Sequence, residues 1–111
     1  MGKVNQEKTF DALEIRDTSS HTGSLINNFD FQLKTIVIEN GLNQTVTLQC
    51  QASADGVNHW FNVGSTFDVG ASADTYQTCS SYFPFMRLLA QCGSSPSSGD
   101  LTVFFIQYAG A

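Results

Sequence analysis

Charge is scarce in this sequence, and basic charge is the scarcest. Charged residues make up 14% of the 111 positions, well under the roughly 25% of an average globular domain. Ten acidic residues oppose five basic ones, and Arg87 is the one basic residue after Lys34. A nucleic-acid surface needs clustered lysines and arginines to neutralise phosphates. We therefore expect no nucleic-acid partner.

Long apolar runs and helical periodicity are missing as well. The opening MGKVNQEKTF lacks the apolar segment that a secretory signal requires, and no run approaches the length of a membrane span. No stretch keeps an apolar period of 3.6 residues. We therefore expect little helix and no membrane partner.

Cysteine is present in an odd and unpatterned number. The three cysteines form no CxxC pair, and with the two histidines they show no metal-ligand spacing. Cys50 and Cys92 occupy apolar positions of predicted strands, where cysteine packs as a small hydrophobe. We expect Cys50, Cys79 and Cys92 to be separate buried thiols. The alternative is one disulfide with one thiol left over.

Catalytic motifs are absent. The sequence contains no GxSxG, no HExxH and no glycine-rich loop that joins a strand to a helix. Asp55, Asp68 and Asp74 lie in or beside predicted turns, where aspartate favours the local backbone geometry. We predict that the chain is not an enzyme, with no catalytic residue, no cofactor and no metal.

What the sequence does contain is alternation. Residues 34–52 read KTIVIENGLNQTVTLQCQA, which is a strand, a polar turn at Asn40-Gly41 and a second strand. Positions 46, 48, 50 and 52 are apolar, and the positions between them carry Thr and Gln. This period of two is typical of a strand with one buried face and one polar face. Because the polar face holds little charge, it would not repel a neighbouring molecule.

The same pattern recurs along the chain and predicts the fold class. About seven to nine short strands, separated by frequent turn signals, favour a sandwich or a barrel. Nine phenylalanines provide large side chains for its core. We predict an all-β protein with a single antiparallel β-sandwich, jelly-roll-like, over residues 10–111. Residues 1–9 are polar, carry Lys3 and Lys8, and are predicted to form an N-terminal arm.

The last predicted strand, LTVFFIQY, is apolar on both faces. Leu101, Val103 and Phe105 fall on one face. Phe104, Ile106 and Tyr108 fall on the other face. One interpretation is a central strand whose second face is covered by the N-terminal segment or by a loop. The other is that the second face meets another subunit.

Two further residues each allow two interpretations. Trp60 either plugs the end of the sandwich core or, with Tyr82, forms an exposed platform on which a sugar ring stacks. Arg87 lies in mid-strand, on the face opposite Met86 and Leu88. It either forms a cross-strand salt bridge to Glu39 or to an aspartate, or contacts a neighbouring subunit.

Two segments carry a resemblance. Residues 45–64, TVTLQCQASADGVNHWFNVG, combine an alternating strand, a Ser-x-Asp-Gly turn, a tryptophan and a short strand that ends in glycine. Residues 83–108 add a Pro-aromatic-x-Arg strand, the loop GSSPSSGD and the last strand. In this pattern the chain resembles small phage-encoded β-sandwich proteins. They include capsid decoration (cementing) proteins and tail or fibre modules, and they have no catalytic motif.

The resemblance implies a phage virion structural protein, in the first place a capsid decoration protein, made in the host cytoplasm and located in the virion. The expected partners are the major capsid protein or another virion protein, and further copies of the same chain. The predicted interface residues are Lys3, Lys8, Arg87, Phe104, Ile106 and Tyr108. The alternatives are a carbohydrate-binding module that uses Trp60 and Tyr82, and a phage tail or baseplate module.

Overall fold

The computed structural model describes residues 4–27, 33–79 and 83–108, and within these ranges every regular element is a strand. The strands are β1 (Val4–Leu13), β2 (His21–Thr22), β3 (Ile26–Asn27), β4 (Leu33–Asn40), β5 (Val46–Ser53), β6 (Phe61–Val69), β7 (Ala73–Cys79), β8 (Phe85–Cys92) and β9 (Leu101–Tyr108). The all-β prediction is confirmed.

The strands form two antiparallel sheets that face each other. The first sheet has the order β1-β9-β4-β7, and the second has the order β2-β8-β5-β6, with β3 also pairing with β8. If β2 and β3 are counted as one interrupted strand, each sheet has four strands, and their order is that of a jelly roll. The predicted antiparallel β-sandwich is therefore confirmed.

The core lies between the inner faces of the two sheets. It forms because buried residues alternate with outward-facing residues along the central strands. Strands β5, β8 and β9 each alternate between buried and half-buried or exposed positions. The largest apolar side chains buried completely include Phe105 and Ile38 from the first sheet and Leu48 and Met86 from the second. Such burial contributes about 1.5–3 kcal/mol for each large apolar side chain. This core fixes the register of the strands, because a shift by one residue would expose it.

The predicted N-terminal arm is not separate from the sandwich. From Val4 onward, the residues assigned to the arm pair with β9, with Val4 opposite Tyr108 and Lys8 opposite Phe104. Strand β1 then continues to Phe10, which is buried in the core. The boundary at residue 9 is wrong because the β9 edge needs backbone hydrogen-bond partners, which polar residues supply as well as apolar ones. Lys3 lies outside the described residues.

Two other segments show features that alternation in the sequence does not predict. Strand β6 runs unbroken from Phe61 to Val69, and a bulge near Gly64 (φ 71°) takes up the shift in register against β5. The polar segment that follows β1 contains the short strands β2 and β3, which pair along the edge of β8. Neither short strand has enough alternating residues to be recognised from sequence.

The strand register also determines what the cysteines can do. Cys50 and Cys92 are buried on the inner faces of β5 and β8, as predicted. Cys50 lies opposite Leu88, four residues along β8 from Cys92. Four residues of a strand span about 13 Å, roughly twice the Cα separation that a disulfide allows. Cys50 and Cys92 therefore do not bond to each other; the side chain of Cys79 lies outside the described residues.

Candidate binding faces

The outer side of the first sheet carries a group of apolar side chains. Strand pairing places Lys8, Phe104, Val37 and Tyr76 side by side across β1, β9, β4 and β7. Ile106 and Tyr108 follow Phe104 on the same face of β9, and the neighbours of Ile106 in its row are the polar residues Gln6 and Thr35. We call this surface the apolar face and define it by Lys8, Val37, Tyr76, Phe104, Ile106 and Tyr108.

The apolar face is accessible in the isolated chain. Tyr76 is 69% exposed and Tyr108 is 38% exposed, while Phe104 and Ile106 are half-buried. Lys8 lies partly over the Phe104 ring, with its Nζ atom 5.4 Å from the ring centre. A surface of this composition on a small protein is typical of an interaction site.

One interpretation of the last strand was that the N-terminal segment covers its second face. For that segment the interpretation is wrong. Strand β1 lies beside β9 in the same sheet and does not cover the outer side of β9. Phe104, Ile106 and Tyr108 therefore share the outer face of β9, as the alternation predicted, and Lys8 of β1 lies beside Phe104, which the sequence did not predict. That another subunit covers this surface stays a prediction.

Arg87 lies on the other side of the molecule, on the outer side of the second sheet. Its Nε atom donates a 2.9 Å hydrogen bond to Oε1 of Gln51 on β5. Gln51 in turn donates from Nε2 to Oδ1 of Asn62 on β6, at 3.0 Å. Arg87, Gln51 and Asn62 thus form a row across three neighbouring strands, which we call the polar row.

The predicted salt bridge of Arg87 to Glu39 is wrong. Glu39 is on β4 of the first sheet, so the two side chains point outward from opposite sides of the sandwich. Among the described residues, no carboxylate forms an ion pair with Arg87. The sequence identified the correct face of the β8 strand but could not show which sheet contained β8.

Trp60 is not a core plug. Its side chain is half-buried outside the core, and the guanidinium carbon of Arg87 lies 4.2 Å from its ring centre. Such a stacked pair contributes about 0.5–2 kcal/mol. Trp60 precedes β6, beside a loop end where Phe61 and Phe83 make an edge-to-face contact with ring centres 4.8 Å apart. Tyr82, the other predicted platform residue, lies outside the described residues.

The loop that leads to Trp60 is held by one carboxylate. Oδ1 of Asp55 accepts hydrogen bonds from the backbone N–H groups of Val57 and Asn58 and from the Ser53 hydroxyl. These hydrogen bonds lower the pKa of Asp55, because they stabilise its ionised form. His59 then adopts a left-handed backbone conformation (φ 57°) immediately before Trp60.

The remaining titratable groups form no reactive cluster. A 2.8 Å contact between Nε2 of His21 and Oδ1 of Asp17 lowers the pKa of Asp17. Burial, and then the negative charge of Asp17, raise the pKa of the Cys92 thiol, so the thiolate is disfavoured. In the described part of the chain, no group of three or more His, Cys, Asp or Glu side chains could hold a metal ion. That the chain is not an enzyme stays a prediction.

Sequence reasoning missed four residues of these faces. Val37 and Tyr76 belong to the apolar face, and Gln51 and Asn62 belong to the polar row. The alternation of KTIVIEN places Val37 on the outer side of β4, which was a usable signal. Alternation could not assign Tyr76 and Asn62 to these faces, because their neighbours depend on which strands pair.

The sequence matches no protein-family model and no curated protein, but solved structures share its fold. PBSX exported protein XepA aligns with a TM-score of 0.75 and 15% identity; the match covers 96% of this chain and 38% of XepA. SPBc2 prophage-derived protein YomS aligns with a TM-score of 0.63 and 13% identity, over 98% of this chain and 96% of YomS.

A third structure extends the comparison beyond phage. A chain from the disulfide-linked pili of Bacillus endospore appendages aligns with a TM-score of 0.62 and 13% identity, over 100% of this chain and 92% of that one. At identities this low, the three TM-scores show a shared fold and nothing further. The chain is thus similar in fold to small phage-derived β proteins, as the sequence resemblance implied.

Proposed function

We propose that this chain is a structural protein of a phage particle and that it decorates the capsid by attaching through its apolar face. The observation that carries the proposal is the apolar face itself: an accessible surface with aromatic residues at Phe104, Tyr76 and Tyr108. The fold similarity to XepA and YomS supports a phage origin. The protein would be made in the host cytoplasm and located in the virion.

The physical basis of attachment is burial of apolar area. Large aromatic side chains dominate the energetics of protein interfaces. Contact through one small face gives weak binding, but copies that also contact each other on a repeating capsid lattice bind with much higher avidity. The partners in this proposal are therefore the major capsid protein and neighbouring copies of the chain.

The charges around the apolar face support contacts between copies. Lys8 lies at the β1 edge of the face. Glu39 and Asp74 face each other on β4 and β7, one row beyond Val37 and Tyr76. In the isolated chain Lys8 pairs with Asp11 in an exposed 3.3 Å contact. In this proposal a second copy exchanges that pair for one between its Lys8 and these carboxylates while the aromatic residues pack together.

The proposal is tested by co-sedimentation with empty capsids of the phage that encodes the chain. Tyr76→Asp places a charge on the most exposed residue of the face and should leave the fold intact, because no core contact is lost. Phe104→Asp places a charge at the centre of the face. Ser95→Asp, in the exposed loop before β9, adds the same charge elsewhere.

We expect Tyr76→Asp and Phe104→Asp to reduce capsid occupancy at least tenfold, since a charge buried at an interface costs more than about 1.4 kcal/mol. Ser95→Asp should bind as the parent does. If folded Tyr76→Asp binds capsids as the parent does, the apolar face is not the attachment surface. If the parent sediments with tails and not with capsids, the protein is a tail module.

A further inference from the structure

Arg87 is held in place without a carboxylate partner, although the chain has ten acidic residues. Arg16 and Lys8 each form an ion pair with a nearby Glu or Asp. Arg87 instead stacks on Trp60 and donates from Nε to Gln51. Within the described part of the chain, its Nη1 and Nη2 atoms make no hydrogen bond. Because Nε is used by Gln51, Nη1 and Nη2 form the edge with which this guanidinium can bind a carboxylate through two parallel hydrogen bonds.

The polar row as a whole presents hydrogen-bond donors. Arginine can only donate, so the side-chain oxygen of Gln51 must face Arg87. The amide nitrogen of Gln51 therefore faces Asn62, and Oδ1 of Asn62 accepts from it. Both amide oxygens are thus used inside the row. Nδ2 of Asn62 and the Nη atoms of Arg87 remain as donors that are not used inside the row. The row therefore suits a ligand that is rich in hydrogen-bond acceptors.

The geometry of the row favours a ligand longer than one side chain. Three neighbouring strands place Arg87 and Asn62 about 10 Å apart. The carboxylate of one Asp or Glu side chain would reach one end of the row. An acidic sugar chain would place a carboxylate at Arg87 and carry ring and hydroxyl oxygens along to Asn62.

The surroundings of the row differ from those of the apolar face. Thr47 and Asp68 are joined by a 2.7 Å hydrogen bond further along the same sheet, and Gln49 donates to the backbone oxygens of Cys50, Val63 and Gly64. Around the polar row the second sheet thus presents hydrogen-bonding side chains, whereas the apolar face of the first sheet gathers aromatic ones. The centre of a protein interface favours an apolar surface over a hydrogen-bonding one.

We infer that the polar row, with Trp60 behind Arg87, is a binding site for a carboxylate-bearing sugar. The sugar carboxylate accepts two hydrogen bonds from Nη1 and Nη2 of Arg87, and Nδ2 of Asn62 donates to an oxygen further along the sugar chain. Trp60 positions the guanidinium and does not need to touch the sugar. This site is on the opposite side of the molecule from the apolar face, so it does not depend on the proposed function.

The site contains its own reporter, because Trp60 is the single tryptophan of the chain. The parent protein is titrated with trigalacturonic acid, with the neutral methyl ester of that trisaccharide, and with the acidic peptide acetyl-Glu-Gly-Glu-amide. Binding is followed by Trp60 fluorescence and by the NMR signal of the Arg87 Nε–H. We expect a saturable response to trigalacturonic acid, and affinity about 10- to 100-fold weaker for the ester, since a charge-assisted pair of hydrogen bonds is lost.

Three variants connect the response to the row. Arg87→Gln removes the guanidinium, and Asn62→Asp replaces a donor with a negative charge; each should weaken binding at least about tenfold. Arg16→Gln makes the same change in net charge at an exposed site outside the row and should bind as the parent does. Circular dichroism confirms that each variant is folded.

Three results would overturn the inference. The first is no response of either probe to millimolar trigalacturonic acid. The second is equal affinity for the acid and its ester, which would mean that Arg87 does not recognise the carboxylate. The third is affinity for the acidic peptide equal to or greater than that for the sugar, which would assign the site to a protein partner.

Discussion

The guanidinium carbon of Arg87 lies 4.2 Å from the centre of the Trp60 ring, on the outer side of the second sheet and outside the core. Trp60→Ala therefore removes a surface stacking contact and leaves the core intact. We expect it to lower the free energy of unfolding by about 1–2 kcal/mol. Leu48→Ala, in the core, should cost about 2–5 kcal/mol. Urea unfolding of both variants checks the difference. Equal losses in the free energy of unfolding would mean that Trp60 packs as a core residue.

Removal of residues 1–8 should destabilise the isolated domain. The deletion removes the part of β1 that pairs with residues 104–108 of β9 and leaves that edge unpaired. We expect a loss on the order of 3 kcal/mol, because several backbone hydrogen bonds disappear. Thermal unfolding measures it. The double variant Glu7→Gln, Lys8→Gln keeps the strand and should stay within about 0.5 kcal/mol of the parent. An unchanged melting temperature after the deletion would mean that β1 contributes no stability.

Gly99→Ala should be destabilising because Gly99 has a left-handed backbone (φ 86°) and touches another turn. A Cβ atom at this position would collide with the backbone carbonyl of Gly41. We expect a loss of about 1–3 kcal/mol in chemical unfolding. Gly93→Ala is the matched control, since a Cβ at Gly93 meets nothing within 4 Å. Equal stabilities of the two variants would contradict the observed packing of these turns.

Acid should weaken the loop before Trp60 through Asp55. Hydrogen bonds hold the folded pKa of Asp55 below its ordinary value of 3.8. The resulting stabilisation is fully present above the unfolded pKa and is lost as the pH falls through the folded pKa. Asp55→Asn should therefore lower stability at pH 7 and show less change between pH 5 and pH 2 than the parent. Urea unfolding across this range measures it, with Asp74→Asn as an exposed control; identical pH profiles of parent and Asp55→Asn would contradict the assignment.

Alternation in the sequence predicted the antiparallel sandwich and the buried face of several strands. It succeeded for β5, β8 and β9, because the buried side of a sandwich strand requires an apolar residue at every second position. It failed for Trp60 and Arg87, whose contact depends on β8 and β6 both flanking β5. It also failed for Val4–Lys8, because pairing at a sheet edge is made by the backbone and leaves little trace in side-chain pattern.

The central claim is that the apolar face is the surface that attaches. Hydroxyl-radical footprinting of the protein, free and bound to capsids, compares the two sides of the sandwich in one experiment. The account predicts that Tyr76 and Tyr108 become protected on the capsid, while Val57 and Trp60, on or beside the second sheet, react as in the free protein. Protection of Val57 and Trp60, with Tyr76 unchanged, would contradict it.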